Sequence, residues 1–564
     1  MASPTNQRKT VVEMLLEANL LTRDQLLHAQ DAQRKSGHRI EDVLVEEQLV
    51  DPEQVALLSS LQLGVPFVNL KKQEVDPRAV ELVPESICRQ HVVVPLQVQD
   101  SSLTVAMQDP GNILVVDTLA AQTRKRIDPV YALTEDILEA IDINYRVSGE
   151  IEKQLSQLPT FQGIDESESQ LSAEAIAQAP VVRIVDLVIR QGARDRASDI
   201  HIEPQEDGLR VRFRIDGILH EVMTLPLNVH SALLSRIKIM AGLNIAERRR
   251  SQDGQITFKD GERTLDIRVA TSNTVNGEMA VLRLLDKTFA FLTLPELGFL
   301  PSPLERYRQM LKTPFGMVLI SGPTGSGKTT TLYASVNQLD SVGRNIISIE
   351  DPVEYHFDSI NQMQVNVQAG VTFSTGLRAC MRLDPDVILV GEIRDGETAQ
   401  IAAQAALTGH LVLSSVHAND SLGVIYRLID LGVEPFLVAS SVIGIIAQRM
   451  VRRICNNCSH MAAVSMEEQL SFEREMGERR TQFLYGDGCN VCAQTGYLGR
   501  SGIYEVMILS EDIRRMILDN EPADAIRAQA IEEGMISLWR DGMNKVQSGL
   551  TTPYEIIRNV FTAA

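Results

Sequence analysis

The chain has 564 residues, 44% of them hydrophobic and 23% charged, with a formal net charge of −20. That length predicts roughly three to four domains of ~150 residues each, and the composition is ordinary for a globular protein. So acidic a chain argues against a DNA or RNA duplex as its main partner, because phosphate recognition needs a basic surface. No apolar run approaches the ~20 residues that span a bilayer, and the opening segment, Met1 to Lys9, lacks the apolar core of a signal peptide. The expectation is a cytosolic protein that meets membranes only through partners.

Residues 1 to about 63 read as two similar helical units. Val12 to Thr22 precedes a helix ending near Gln30, and Asp42 to Asp51 precedes a helix through Leu61; Thr22 and Asp51 are placed to cap the second helix of each unit. Residues 64 to 145 alternate strands and helices, with strands at Val92 to Leu96 and Leu103 to Met107 and a helix at Glu135 to Tyr145. The domain expected over 1–145 is followed by a polar stretch, 146–179, rich in Gln, Ser and Glu, which reads as a flexible linker. A small α/β domain is expected over 180–289, opening with a helix at Val181 to Arg194. Its strands are Ile200 to Glu203, Leu209 to Ile215, Thr264 to Ala270 and Met279 to Leu285. A nucleotide-binding α/β domain is expected over 290–564, carrying a zinc segment at 453–495 and C-terminal helices. Arg248-Arg-Arg250 and Arg449 to Arg453 are short basic clusters, read as solvated faces or intersubunit salt-bridge sites.

The sharpest signal is Gly322-Pro323-Thr324-Gly325-Ser326-Gly327-Lys328-Thr329, a complete phosphate-binding loop continued by Thr330. An apolar strand-like run, Gly316 to Ser321, enters it, and a helix-like run leaves it. That context aims several backbone N–H groups and a helix's positive end at one point. Glycines let the backbone close on phosphates, Lys328 reaches the β- and γ-phosphates, and the Thr329 hydroxyl ligates Mg²⁺. Asp386 to Glu392 is a buried-strand run ending in a carboxylate, the place for an acid that holds the Mg²⁺ water shell. Ile346 to Glu354 is another strand, ending in carboxylates and a proline turn, from which an attacking water can be oriented. His410 and His417 bracket the strand Leu411 to Ser415, and His417 is placed to sense the γ-phosphate.

Six cysteines are unevenly placed. Cys88 and Cys380 sit among apolar neighbours as buried thiols. Cys455-x-x-Cys458 and Cys489-x-x-Cys492 read as two knuckles of one structural tetrathiolate zinc site, with a redox pair or free thiols as alternatives. Thirty residues separate the pairs and carry a charged helical insertion at Met466 to Arg480.

Ala197 to Glu203, Arg212 to Gly217, Ser251 to Gly254, the phosphate loop, Glu350 to Glu354, Gly391 to Asp395, Leu407 to His410 and Gln448 to Arg453 together resemble the ATPases that power type II secretion and type IV pilus assembly. The resemblance implies a RecA-like P-loop core preceded by a small PAS-like α/β domain, working as a ring-shaped homo-hexamer. It implies ATP as substrate with Mg²⁺, Glu354 as catalytic base, Glu392 as the Walker B acid and His417 as a nucleotide contact. Arg212, Arg268 and Arg283 of the small domain are candidates to approach the phosphates on closure. The N-terminal repeat is similar to a domain that binds cyclic di-GMP in some members, but Asn19 and Gln48 stand at its later glycines. Arg39-Ile40 is followed by Glu41 in place of a glycine, and Thr10 to Val12 replaces the first start. Cyclic di-GMP is therefore not expected; docking to an inner-membrane platform protein is. The long N-terminal region and the four cysteines favour filament extension or secretion over retraction; between those pathways pilus assembly is the expectation, with type II secretion the alternative.

Overall fold

The computed structural model describes residues 11–145 and 179–560, except positions 19, 37–39, 41, 42, 45, 46, 48, 51, 71, 72, 74, 81, 100, 261, 262, 286–291, 340–342 and 490. The linker expected over 146–179 thus falls, apart from Ala179, outside the described residues, as do Thr10, Asn19, Arg39, Glu41 and Gln48. The chain divides into two compact units, 1–195 and 196–564.

In the first unit, α1 (Val11–Glu17), α2 (Arg23–Ser36) and α3 (Pro52–Leu63) surround a small apolar core of Val11, Leu15, Leu21, Ala29, Val43, Leu44, Val50 and Val55. The Thr22 cap is present: its hydroxyl accepts from Gln25 N at 3.3 Å while Gln25 Oε1 accepts from Thr22 N at 2.9 Å. Then come α4 (Glu85–His91), β1 (Val93–Gln99), β2 (Ser102–Met107), α5 (Ile113–Thr123), β3 (Arg126–Tyr131) and α6 (Thr134–Asn144). β1 runs antiparallel to β2, and β2 parallel to β3. The crossover helix α5 is what a parallel pair requires. Cys88 is buried, as expected, with its sulfur 3.0 Å from the Tyr145 hydroxyl, and burial pushes the thiol up to about 11. The unit ends with α7 (Ala179–Arg194), whose Arg194 pairs with Glu85 at 3.2 Å.

The second unit opens with β4 (Ala197–Pro204), β5 (Leu209–Ile215), β6 (Ile218–Leu225), α8 (His230–Met240), β7 (Gln252–Asp260), β8 (Arg263–Thr274) and β9 (Gly277–Leu285). These strands form an antiparallel sheet in the order β6-β5-β4-β9-β8-β7. Strand alternation puts Val211, Phe213, Ile200, Ile202, Leu282, Ile267 and Val269 in the interior. The intervening positions, Arg210, Arg212, Arg214, Asp199, His201, Arg283 and Arg268, line the opposite face in register.

The nucleotide-binding sheet follows. Its elements are α9 (Pro301–Leu311), β10 (Gly316–Ser321), α10 (Lys328–Val336), β11 (Ile346–Glu350), β12 (Asn361–Gln364), α11 (Phe373–Cys380), β13 (Val387–Val390), α12 (Gly396–Leu407), β14 (Leu411–Val416), α13 (Ser421–Asp430), α14 (Pro435–Ser441) and β15 (Val442–Ile454). The strand order is β12-β11-β13-β14-β10-β15, all parallel, closed by an antiparallel β18 (Tyr497–Ile508) on β15. The central strands β10, β13 and β14 are covered on both faces and buried at every position: Met317 and Leu319 join one core, Val318 and Ile320 the other. Between β15 and β18 lie β16 (Ser459–Ala463), α15 (Met466–Met476) and β17 (Gln482–Gly486), with β16 and β17 paired. The insertion expected to be helical therefore also carries a two-stranded ladder. Helices α16 (Glu511–Leu518), α17 (Ala523–Glu532), α18 (Leu538–Gln547) and α19 (Pro553–Asn559) complete the unit. Buried ion pairs tie this end down: Arg452–Glu555 at 2.8 Å and Lys545–Asp541 at 2.7 Å.

Candidate nucleotide site and tetrathiolate cluster

β10, β11, β13 and β14 run parallel, so the loops after them gather at one edge of the sheet. The phosphate loop follows β10, the acidic turn follows β11, Glu392 follows β13 and His417 follows β14.

The loop passes from Gly322, at φ 154°, to Gly327, at φ 85°, which leads into α10. A Cβ on Gly322 would lie 2.5 Å from Ser326 Oγ and 2.6 Å from Gln448 O, so glycine is required there. Gln448, 1% exposed on β15, holds the loop from behind. Its Nε2 donates to Ser326 O at 2.6 Å, and its Oε1 accepts from the Thr331 hydroxyl at 2.9 Å. Gln448 was legible only as part of the family pattern, without a role. Lys328 Nζ donates to Gly322 O at 2.9 Å and Pro323 O at 3.1 Å, folding back over its own loop. Burial holds this lysine below the ordinary range, the Glu392 carboxylate works the other way, and Arg449 adds to the lowering. A lysine partly stripped of water gains most from an anion that replaces that water.

Glu392 Oε2 stands 3.3 Å from His417 Nε2, and its other oxygen pairs with Arg394. Glu354 Oε2 lies 3.0 Å from Arg268 Nη1, an ion pair between the antiparallel sheet and the acidic turn. The other two candidate arginines are engaged elsewhere. Arg212 pairs with Glu203 at 2.6 Å and Arg283 with Asp199 at 3.0 Å, both carboxylates of neighbouring β4. Of the three, Arg268 is the one that touches the acidic turn.

Cys455 and Cys458 follow β15, and Cys489 and Cys492 precede β18, so the strand pairing brings them together. All four sulfurs lie within 4.8 Å of one another. Separations of 3.9 Å for Cys455–Cys489 and Cys458–Cys492 and 3.7 Å for Cys489–Cys492 are far too long for disulfides. They suit thiolates around one tetrahedral ion with Zn–S bonds of about 2.3 Å. The knuckles supply donors to sulfur: Cys489 N and Gly496 N reach Cys492 Sγ at 3.1 and 3.2 Å, and Asn457 Nδ2 reaches Cys489 Sγ at 3.3 Å. Gly486 and Gly496 pack so closely that a Cβ on the first would lie 2.2 Å from the carbonyl of the second. The donor set fits zinc, with no position left open for a reacting molecule.

The family model described as Type II/IV secretion system protein matches residues 174–560, and one for the MshEN domain matches 63–151. The latter begins where the helical repeat of 1–63 ends. The chain is 42% identical to the type IV pilus assembly ATPase PilB of Myxococcus xanthus over 97% of this chain and 98% of that protein. It is 38% identical to the type II secretion system protein E of Xanthomonas campestris pv. campestris, again over 97% and 98%. The ATPase DotB of Legionella pneumophila superposes with a TM-score of 0.50 at 19% identity, covering 66% of this chain and 94% of that one, a likeness of fold alone. The chain belongs to the Type II/IV secretion system protein family and is one of its P-loop ATPases.

Proposed function

We propose that this protein is the hexameric motor of type IV pilus assembly, coupling ATP hydrolysis to filament extension through an inner-membrane platform protein. The observation that carries the hydrolytic part is the gathering of Lys328, Glu392, His417 and the Glu354–Arg268 pair around one phosphate loop. In this reading the loop Gly322 to Thr330 holds the nucleotide phosphates, Thr329 ligates Mg²⁺ and Glu392 holds the metal's water shell. Glu354 takes the proton of the attacking water. Arg268, carried by a separate sheet, stabilises charge on the transferring phosphoryl group; Arg212 and Arg283 join it only after leaving their carboxylates. Cys455, Cys458, Cys489 and Cys492 hold a structural zinc.

The domains in this reading are 1–145 for docking, 146–179 as linker, 180–289 as the moving small domain and 290–564 as the ATPase. The docking domain engages the platform, with cyclic di-GMP not its expected ligand although an MshEN domain matches 63–151, and the protein works at the cytoplasmic face of the inner membrane. No helix among the described residues is long and apolar enough to cross a membrane, which fits recruitment through partners. A second reading, the motor of type II secretion, is equally favoured by the full-length likeness to protein E.

The test is ATPase activity against assembly state, by size exclusion with light scattering, with and without single-stranded and duplex DNA, and with cyclic di-GMP titrated in parallel. Hydrolysis confined to a six-subunit species and indifferent to DNA supports the reading. A fully active monomer, or strong stimulation by DNA, overturns it. Complementation of a pilus-assembly or a secretion mutant separates the two pathways.

A further inference from the structure

Glu350 ends β11 at the head of the acidic turn and is 3% exposed. Its carboxylate accepts from the Tyr333 hydroxyl, the Ser348 hydroxyl and Gln362 Nε2, the last at 3.2 Å. So fully occupied an acid is poorly placed to move a proton, and no role above uses it. Tyr333 lies on α10 four residues after Thr329, on the same helical face one turn along. Its ring packs against Tyr355, the residue after Glu354, at 6.0 Å between centroids, and against Phe357 at 4.9 Å. The far side of the turn is held as well. Gln362 Nε2 donates to Tyr355 O at 3.0 Å, Gln362 Oε1 accepts from Phe357 N at 3.0 Å, and Gln364 Oε1 accepts from Val353 N at 3.2 Å.

We propose that Tyr333 and Glu350 are a positioning pair: one buried hydrogen bond that, with the ring contacts to Tyr355 and Phe357, fixes the turn carrying Glu354 relative to the phosphate-loop helix. This rests on the reading of Glu354 as the base. The same tyrosine touches the helix that begins at Lys328 and the turn that carries Glu354, so a displacement of α10 on filling the loop is delivered to the base. Side-chain placement matters at this level, since a misplacement of ~1 Å can cost ~10²-fold in rate. Neither residue is catalytic, because each acts through Glu354.

The discriminating variant is Tyr333→Phe, which keeps the ring and removes the hydroxyl. It is measured beside Glu354→Gln by steady-state hydrolysis and by titration with a non-hydrolysable ATP analogue. The expected result is a fall in kcat of about 10–100-fold with analogue affinity changed less than about twofold. Glu350→Gln should give the same split, and joining it to Tyr333→Phe should cost little more than either alone. A Tyr333→Phe protein with wild-type kcat overturns the pair. So does one losing affinity and kcat together, because that marks general loosening of α10. An active Glu354→Gln overturns the base assignment, and the pair's role with it; an inactive Glu354→Gln beside a wild-type-like Tyr333→Phe overturns the pair alone.

Discussion

Arg268 grips the acidic turn at two points: Nη1 stands 3.0 Å from Glu354 Oε2, and Nη2 donates to Val353 O at 3.4 Å. Both partners of the ion pair are 33% exposed, so its contribution to stability is small, about 0–1 kcal/mol. We expect Arg268→Ala to leave the melting temperature nearly unchanged while lowering kcat about 10²–10³-fold, the scale of losing one donor to developing charge. Arg268→Lys should restore the rate only in part, since an ammonium lacks the planar fork whose two nitrogens reach Glu354 and Val353 separately. Melting curves and steady-state ATPase assays check both statements.

Glu354→Gln should bind ATP as the wild type does but hydrolyse it about 10²–10⁴-fold more slowly. Lys328→Ala should lose affinity as well. Equilibrium titration with a fluorescent nucleotide, run beside single-turnover hydrolysis, separates the two defects.

Gln448→Ala leaves the Ser326 carbonyl without its buried side-chain partner and the Thr331 hydroxyl with Gly327 O, at 3.2 Å, as its remaining acceptor. The cost should be about 1–3 kcal/mol, expressed as weaker nucleotide binding and lower stability. Isothermal titration calorimetry reads the first and thermal melts the second.

Protein purified without chelators should carry about one zinc per chain by elemental analysis. Cys455→Ser with Cys458→Ser should abolish it and lower the melting temperature without removing a group from the nucleotide site. Zinc-free wild-type protein with unchanged stability is the opposing result.

Burial holds His220 below its ordinary 6.5, with Arg452 adding to the effect and Asp216 opposing it. The unfolded chain therefore takes up the proton first. The stabilisation is complete above about pH 6.5 and is lost as the pH falls below that value toward the native pKa. His220→Gln should lose less melting temperature than wild type between about pH 7.5 and 5.5; equal losses would acquit this histidine.

The phosphate loop and the two cysteine pairs were legible because each is a local pattern whose spacing states its geometry. The strands β10, β11, β13 and β14 were legible for the same reason, through runs such as Val387–Val390 that are apolar at every position; the polar edge strand β12 and the long pair β15 and β18 were not. What escaped depends on partners far along the chain. Gln448 meets Ser326 across 122 residues, and Arg283 meets Asp199 across 84. No pattern around either residue announces its partner, because strand register decides it. Tyr333 read as an ordinary helix residue, since its hydroxyl acquires meaning only when β11 ends beside α10. The β16–β17 ladder was hidden by the charged helix between its strands.

The carboxylates on the arginine-lined sheet have a consequence for how it can meet a phosphate. Burial works against the charge on Glu203, yet Arg212 and Arg210 hold it below the ordinary carboxylate range, and Asp199 similarly occupies Arg283. An incoming anion meets arginines already paired with resident acids and competes with those acids for them. The resident acids lower the positive charge that the face presents, so its attraction for an anion should depend less on ionic strength than that of an open basic surface. The sheet resembles an ion-exchange resin supplied already loaded with its own counter-ions.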